Sequence, residues 1–374
     1  MKYILSIITA IIFSVIFPTY LLQNESVETS ISKAPPTVEE KILKYMTPEE
    51  KVGQLFLFGI NGTTLTPQTE EFLTKNHIGG VLLYGKNVVS EDQITQLTND
   101  LQTTNRIPLY ISIDQEGGVV SRLKWNNTLI IAQSEMDTPE EAYTIAKSRG
   151  EMLRKMGINM NLAPVVEYIT DPNSFMYLRA FRGTKEEVIQ KGVSTINGYR
   201  ESNIIAVLKH YPGHSNASPD SHFSLPVVNI SPNQWDEYIS PFSGIIKQTN
   251  VDGIMVGHIQ YPQIDTVPAS ISEEIITTQL IQYLDYQGLI ITDDMEMGAL
   301  KNLDTYTNLA KQALVAGNDI LIYSTASDTE TSIQQDVYDF ILQEVVDGRM
   351  NIDQKVLKIL SVKIQYGIYT PIFD

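Results

Sequence analysis

Three of the chain's five histidines fall in KHYPGHSNASPDSH, residues 209–222, as His210, His214 and His222. An imidazole changes charge near neutral pH, and a carboxylate two residues away, as Asp220 is from His222, can orient it and raise its basicity. Asp293 and Asp294 close the apolar run GLIIT. Successive strand residues face opposite ways, so one carboxylate of this pair should rise into a strand-end site while the other points toward wall or helix. A carboxylate there can be a nucleophile, a metal ligand or a helix N-cap, and for an isolated Asp-Asp pair the cap is the commoner role. A nucleophilic carboxylate with a protonatable partner equips a protein for retaining glycoside hydrolysis, although the partner is usually a carboxylic acid and a His–Asp pair would be unusual. The competing chemistry is a metallohydrolase, for which His210, His214, Asp220, His222 and Asp293 offer nitrogen and oxygen ligands. Two of those histidines stand among Pro, Gly, Ser and Asn residues without apolar periodicity, which reads as a mobile excursion over the site. Metal ligands want firmer ground, so no metal is expected.

The elements that must position these residues alternate short β-rich runs with longer amphipathic ones. Strands are expected at 54–60, 79–85, 107–114, 158–166, 204–211, 253–258, 288–294 and 318–323. Helices are expected between them, as in QTEEFLTKNH, SEDQITQLTNDLQ, PEEAYTIAKSRGEMLRKMG and TKEEVIQKGVSTINGYRES, with Ser90 and Thr184 as caps, and closing helices at 328–347 and 353–366. Eight alternations predict an α/β fold, a (β/α)8 TIM barrel forming a single catalytic domain, with a doubly wound open sheet as the competing topology. In a barrel the chemistry gathers where strands end, and polar residues do collect there: Asp114, Gln115 and Glu116; Lys209 and His210; His258; Asp293 and Asp294. Met295, beside the aspartate pair, joins His258 and Glu116 as a secondary candidate.

Composition bounds the rest. With 374 residues, 43% of them hydrophobic, the chain can bury a large core. It has no cysteine, which excludes disulfides, thiolate metal sites and cysteine nucleophiles. A formal net charge of −17 argues against nucleic acid as a partner. Residues 1–22 differ in kind: Lys2 precedes an apolar run of 20 residues, Tyr3 to Leu22, and Glu25 and Glu28 follow it. That run is long enough to cross a bilayer, and the charge order places the remainder outside the cytoplasm. The expected organisation is a signal peptide or membrane anchor at 1–22, a linker at 23–37 and the barrel at 38–374.

The strings EEKVGQLFLFG (49–59), GGVLLYGKNV (79–88), IDQEGGVVSRL (113–123), NLAPVVE (161–167), LKHYPGHSNASPDSH (208–222), HIQYPQIDTVPASIS (258–272) and ITDDMEMGAL (291–300) resemble glycoside hydrolase family 3, in its single-domain NagZ-type β-N-acetylglucosaminidase branch. The resemblance runs in order along almost the whole body. It implies a TIM barrel, retention of configuration and a covalent glycosyl-enzyme, with Asp293 as nucleophile and Asp220–His222 as the acid/base pair. It further implies that Asp114, Lys209, His210 and Arg179 hold the terminal sugar, and that no cofactor is required. His214 and Glu116 are expected to be structural or supporting. Three positions depart from the family pattern: Arg182 near Arg179, Glu167 where Asp is common, and Ser215 where Gly is usual. The expected activity is removal of terminal N-acetylglucosamine from cell-wall muropeptides or related oligosaccharides. A glycoside phosphorylase, a β-glucosidase, a metallohydrolase and an inactive wall-binding protein are the alternatives. Nothing in the sequence sets the oligomeric state.

Overall fold

The computed structural model describes residues 35–214, 220–324 and 333–372. The expected anchor at 1–22, nearly all of the linker, and residues 215–219 of the histidine-bearing loop lie outside the described residues. Among those described, no helix is long and apolar enough to cross a membrane.

Eight parallel strands close into one barrel: β1 (Phe56–Gly59), β2 (Gly80–Leu83), β3 (Tyr110–Ile113), β4 (Met160–Asn161), β5 (Ile205–Tyr211), β6 (Gly253–Val256), β7 (Leu289–Asp294) and β8 (Ile320–Tyr323). Each strand pairs with its sequence neighbours, and β1 pairs with β8 through Phe56↔Leu321, Leu57↔Ile322 and Phe58↔Tyr323. Closure removes every sheet edge, and the ring of helices covers the outer face, so both faces of the strands are buried. That explains why the strands read as continuous apolar runs rather than alternating ones. Each fully buried Leu, Ile or Val in them contributes about 1.5–3 kcal/mol of transfer free energy. The open sheet is thereby excluded.

The helices begin where the caps predict. Ser90 accepts the Gln93 N–H at the start of Glu91–Leu101, and Thr184 forms a capping box with Glu187 at the start of Lys185–Glu201. The closing helices are Ile333–Val346 and Asp353–Gln365. Most strands are a few residues shorter than their apolar runs, because those runs continue into buried strand ends. The fourth departs furthest. Its regular ladder ends at Asn161, and backbone bonds to β5 go on in a shifted register, the Val207 N–H to the Ala163 carbonyl at 3.1 Å and the Lys209 N–H to the Pro164 carbonyl at 3.0 Å, while the Gln133 side chain takes both the N–H and the carbonyl of Val165.

Two strands break register near their C-terminal ends. On β5, Leu208 pairs with Ile254 but Tyr211 with Val256, so Lys209 and His210 stand in a bulge. On β7, Ile291 pairs with Ile320 but Asp294 with Ile322, so Thr292 and Asp293 stand in another. The Thr292 hydroxyl accepts the Ile322 N–H at 3.1 Å, filling the place of a ladder carbonyl. Bulges turn side chains out of the pleat. These two turn Lys209, His210 and Asp293 toward the mouth.

Candidate active site

At the C-terminal mouth a cavity of about 230 Å³ is lined by Asp114, Glu116, Arg122, Arg179, Lys209, His210, His214, Ser221, His222, Asp293 and Asp294, with Tyr84 and Phe175 among its aromatic walls. The two aspartates of β7 divide as strand alternation demands. Asp294 turns to the end of β8, where its carboxylate accepts the Ser324 N–H at 3.2 Å and the Ser324 hydroxyl, and it also takes the Glu296 N–H. Burial pushes its carboxyl up to about 6, because the hydrogen bonds only partly offset the loss of water. Asp293 is left for the cavity. Burial pushes its carboxyl up too, but the imidazoles of His210 and His258, the Asp294 N–H and the Lys209 ammonium outweigh that and hold it at about 2. It is ionised at neutral pH.

The cavity floor is an ion network. Arg179 grips Glu116 with both arms, Nε at 2.9 Å and Nη2 at 2.7 Å, and Lys209 Nζ lies 2.6 Å from Glu116 Oε1 and 2.7 Å from Asp114 Oδ1. Arg122 reaches Asp114 from the far side at 3.4 Å. Burial alone would neutralise Glu116; the Arg179 and Lys209 charges reverse that and hold its carboxyl far below the usual range. Glu116 is therefore the counter-ion that keeps two buried cations in place, with 1% of its side chain exposed. Asp114, more open, still has an edge toward the cavity.

Glu167 organises the two neighbouring histidines. Its Oε1 accepts His210 Nδ1–H at 2.8 Å, the His210 N–H at 3.2 Å and His214 Nδ1–H at 3.1 Å, while its Oε2 takes the His214 N–H. With Nδ1 of His210 donating, Nε2 is the bare nitrogen toward the cavity, where it lies 3.5 Å from Arg179 Nη2 as the acceptor of that bond. Burial lowers the His210 imidazole to about 4, so it faces the cavity as a neutral acceptor beside the donors Lys209 and Arg179. A ligand with vicinal hydroxyls meets donors and acceptors side by side. Above this floor stands Asp220–His222: Asp220 Oδ1 accepts His222 Nδ1–H at 2.6 Å and the His222 N–H at 3.0 Å, directing Nε2 outward from the pair. The carboxyl of Asp220 is lowered although burial acts against it, because both His222 donors favour its charged form.

Of the residues read from the sequence, Asp114, Glu116, Arg179, Lys209, His210, His222 and Asp293 line this one cavity, and Asp220 is bonded to His222. Two secondary candidates do not join them. His258 is wholly buried, with Nδ1 on Ser270 Oγ at 2.7 Å and Nε2 on the Asp294 carbonyl at 2.9 Å, so its two nitrogens tie the segment after β6 to the end of β7. Met295 is fully buried in the core. His214, expected in a mobile loop, is instead 1% exposed and tied to the barrel by Glu167. Arg182 stacks on Tyr177, 3.3 Å from its ring centroid, and is absent from the cavity lining, so it leaves the Arg179 site undisturbed. The supposed five-ligand metal set is not gathered. Among the described residues the compact group of potential ligands is Glu167, His210 and His214, whose atoms already hydrogen-bond one another. Sequence reading passed over Arg122, Tyr84 and Phe175. Arg122 carried a signal, since it lies eight residues after Asp114 in the same loop.

A closed parallel barrel with an ionised aspartate, an ion-paired floor and an Asp–His pair at one mouth has the layout of a barrel enzyme. Comparison with known proteins gives the family. Residues 47–362 match the glycosyl hydrolase family 3 N-terminal domain, and the chain belongs to that family. It is 31% identical over 299 residues to β-hexosaminidase A of Pseudoalteromonas piscicida, a match covering 73% of this chain and 50% of that protein. It is 30% identical over 297 residues to β-hexosaminidase of Nitrosomonas eutropha, covering 76% of this chain and 85% of that one. The structure of a family 3 β-N-acetylglucosaminidase from Paenibacillus sp. str. FPU-7 superposes with a TM-score of 0.82 at 31% identity, covering 88% of this chain and 64% of that chain. The chain thus spans about half the length of the first relative and most of the second.

Proposed function

We propose that the chain is a retaining exo-β-N-acetylglucosaminidase, a β-N-acetylhexosaminidase that removes terminal N-acetylglucosamine from cell-wall muropeptides or related oligosaccharides through a covalent glycosyl-enzyme. The observation that carries this reading is the division of labour in the cavity. One carboxylate, Asp293, is buried and ionised, while the other proton-handling group is the His222 imidazole held by Asp220. Asp293 attacks the anomeric carbon; the bond to the leaving oxygen breaks, its electron pair stays on that oxygen, and His222 Nε2 delivers a proton to it. In the second half His222 Nε2 takes a proton from water, the hydroxyl bonds the anomeric carbon, and the electron pair of the ester bond returns to Asp293. Lys209, Arg179, His210 and Asp114 hold the sugar hydroxyls, in contacts that should tighten as the ring flattens toward an oxocarbenium ion. The matching names of the relatives support the choice of N-acetylglucosamine.

The test is release of nitrophenol from the aryl N-acetylglucosaminide, lost in Asp293→Ala; full activity in that variant would remove the mechanism, and preference for the aryl glucoside would change the substrate. Phosphorolysis is the second reading, favoured by the cations Lys209, Arg179 and Arg122 on the cavity wall and by an acid/base that is not a carboxylate. Sugar 1-phosphate as the product in phosphate buffer would decide for it. The apolar run at 3–22 supports an extracytoplasmic placement, cleaved or anchored. Carbonate-resistant sedimentation of the full chain would show the anchor, and its retention in the cytoplasmic fraction would refute the placement.

A further inference from the structure

The acid/base segment Asp220–His222 is seated on two elements of the barrel. The turn that follows the nucleophile strand gives it two backbone donors: the Ala299 N–H reaches the Ser221 carbonyl at 3.2 Å and the Gly298 N–H reaches the His222 carbonyl at 3.3 Å. That turn is itself tied to β7, since the Met297 N–H bonds the Asp294 carbonyl at 3.0 Å and Asp294 is held by Ser324. The second element is His214. Its Nδ1–H is spent on Glu167, which leaves Nε2 to accept the Ser221 hydroxyl at 3.3 Å, with both residues buried. Ser221 therefore points inward as an anchor, while the residues on either side of it carry the proton chemistry.

Gly298 sets the distance. A Cβ built there would lie 2.7 Å from the His222 carbonyl oxygen and 2.8 Å and 2.9 Å from the carbonyl oxygen and carbon of Phe223. These are backbone atoms, so a larger residue must move the whole segment rather than nudge a side-chain tip. Gly298 lies outside the left-handed region, so alanine there is not strained by its own dihedrals. Resting on the reading of His222 as acid/base, we propose that Gly298 and its turn are the platform that holds His222 in register with Asp293, with His214–Ser221 as the second anchor. Gly298, His214 and Ser221 are positioning residues. The proton carrier is seated on the turn that follows the nucleophile and is bonded to its neighbour Asp294, so one piece of backbone links both halves of the reaction.

The full chain and its variants are compared on two N-acetylglucosaminides, one with a dinitrophenyl leaving group that departs without a proton and one with an alkyl leaving group that needs it. Gly298→Ala should lose kcat/KM on the alkyl glycoside by about 10²-fold, the cost of misplacing a reacting group by about an ångström, while keeping it within severalfold on the dinitrophenyl glycoside. Azide, which attacks without a general base, should raise its kcat on the dinitrophenyl substrate. Ser221→Ala, which removes one hydroxyl and leaves the turn intact, should show the same selectivity with a smaller loss, and it carries the test should Gly298→Ala not fold. Equal loss on both substrates, or no loss on either, overturns the platform. His222→Ala is the reference. If it too fails to separate the leaving groups, the acid/base reading falls and the platform with it; if it separates them and the platform variants do not, the platform alone is wrong.

Discussion

The floor and the rim of the mouth are built by opposite means. Glu116 and Lys209, 1% and 2% exposed in their side chains, are locked with Arg179 and Asp114 in one ion network on the ends of β3 and β5. His222 is 58% exposed, and among the described residues its side chain is held by one partner, Asp220. A buried network costs desolvation that only complete pairing offsets, so each floor member depends on every other and the geometry is rigid. An exposed pair costs little and holds little. Under the proposed mechanism the comparison explains why the sugar-holding surface and the proton carrier sit on different supports. The first must be preorganised against water, while the second needs access to an incoming water and a departing alcohol.

That contrast can be broken from either side. Asp293→Asn, which keeps the shape of the nucleophile but not its charge, should lower kcat/KM by about 10⁴-fold or more with the fold intact, as judged by circular dichroism and steady-state rates. Glu116→Gln should leave Arg179 buried without its counter-ion and Lys209 with Asp114 alone, and cost about 3–5 kcal/mol of stability in denaturant unfolding. His222→Ala should instead change stability by less than about 0.5 kcal/mol while still crippling substrates that need a proton; a large loss of stability there would show that the rim is as load-sharing as the floor. Thr292→Val removes the acceptor of the buried Ile322 N–H and should cost about 1–3 kcal/mol, with a fall in kcat because the bulge that aims Asp293 relaxes.

The remaining effect is in pH. Burial lowers His210 in the folded state to about 4, from an unfolded value of about 6.5. A group with a depressed folded value contributes stability fully above 6.5 and loses it as pH falls toward 4. The stability difference between wild type and His210→Asn should therefore shrink across that window, by at most about 1.4 kcal/mol per pH unit. Asp294, raised to about 6, acts with the opposite sign: its contribution is present at low pH and lost as pH rises through 6. A difference that stays flat from pH 7 to 4 would show that His210 is not held neutral.

Much of this was legible before any coordinates. Eight apolar runs announced eight strands because a parallel barrel buries both faces, and the strand-end residues Asp114, Lys209, His210 and Asp293 were read correctly as one mouth. The hold of Gln133 on Val165 just past β4 was not legible, because that side chain reaches across from another loop. The role of Glu116 was half seen: its place after β3 was plain, but its grip on Arg179 joins residues 63 apart in sequence. His214 was misplaced for a similar reason. Its Pro, Gly and Ser neighbours signal a loop, and only the position of Glu167, 47 residues earlier, makes it a buried anchor. Composition reports what a segment is made of; which distant carboxylate meets it is a property of the closed barrel.

The central claim of the proposed mechanism is that the Asp293 carboxylate bonds the sugar and the His222 imidazole handles the proton. The most direct measurement uses His222→Ala with the dinitrophenyl N-acetylglucosaminide, quenched in acid during turnover, digested and examined by mass spectrometry. The account predicts an N-acetylglucosaminyl ester on the peptide carrying Asp293, accumulating because the second step lacks its base. Steady release of dinitrophenol with no labelled peptide, or a label on Asp114, Asp220 or Asp294 instead, would contradict it.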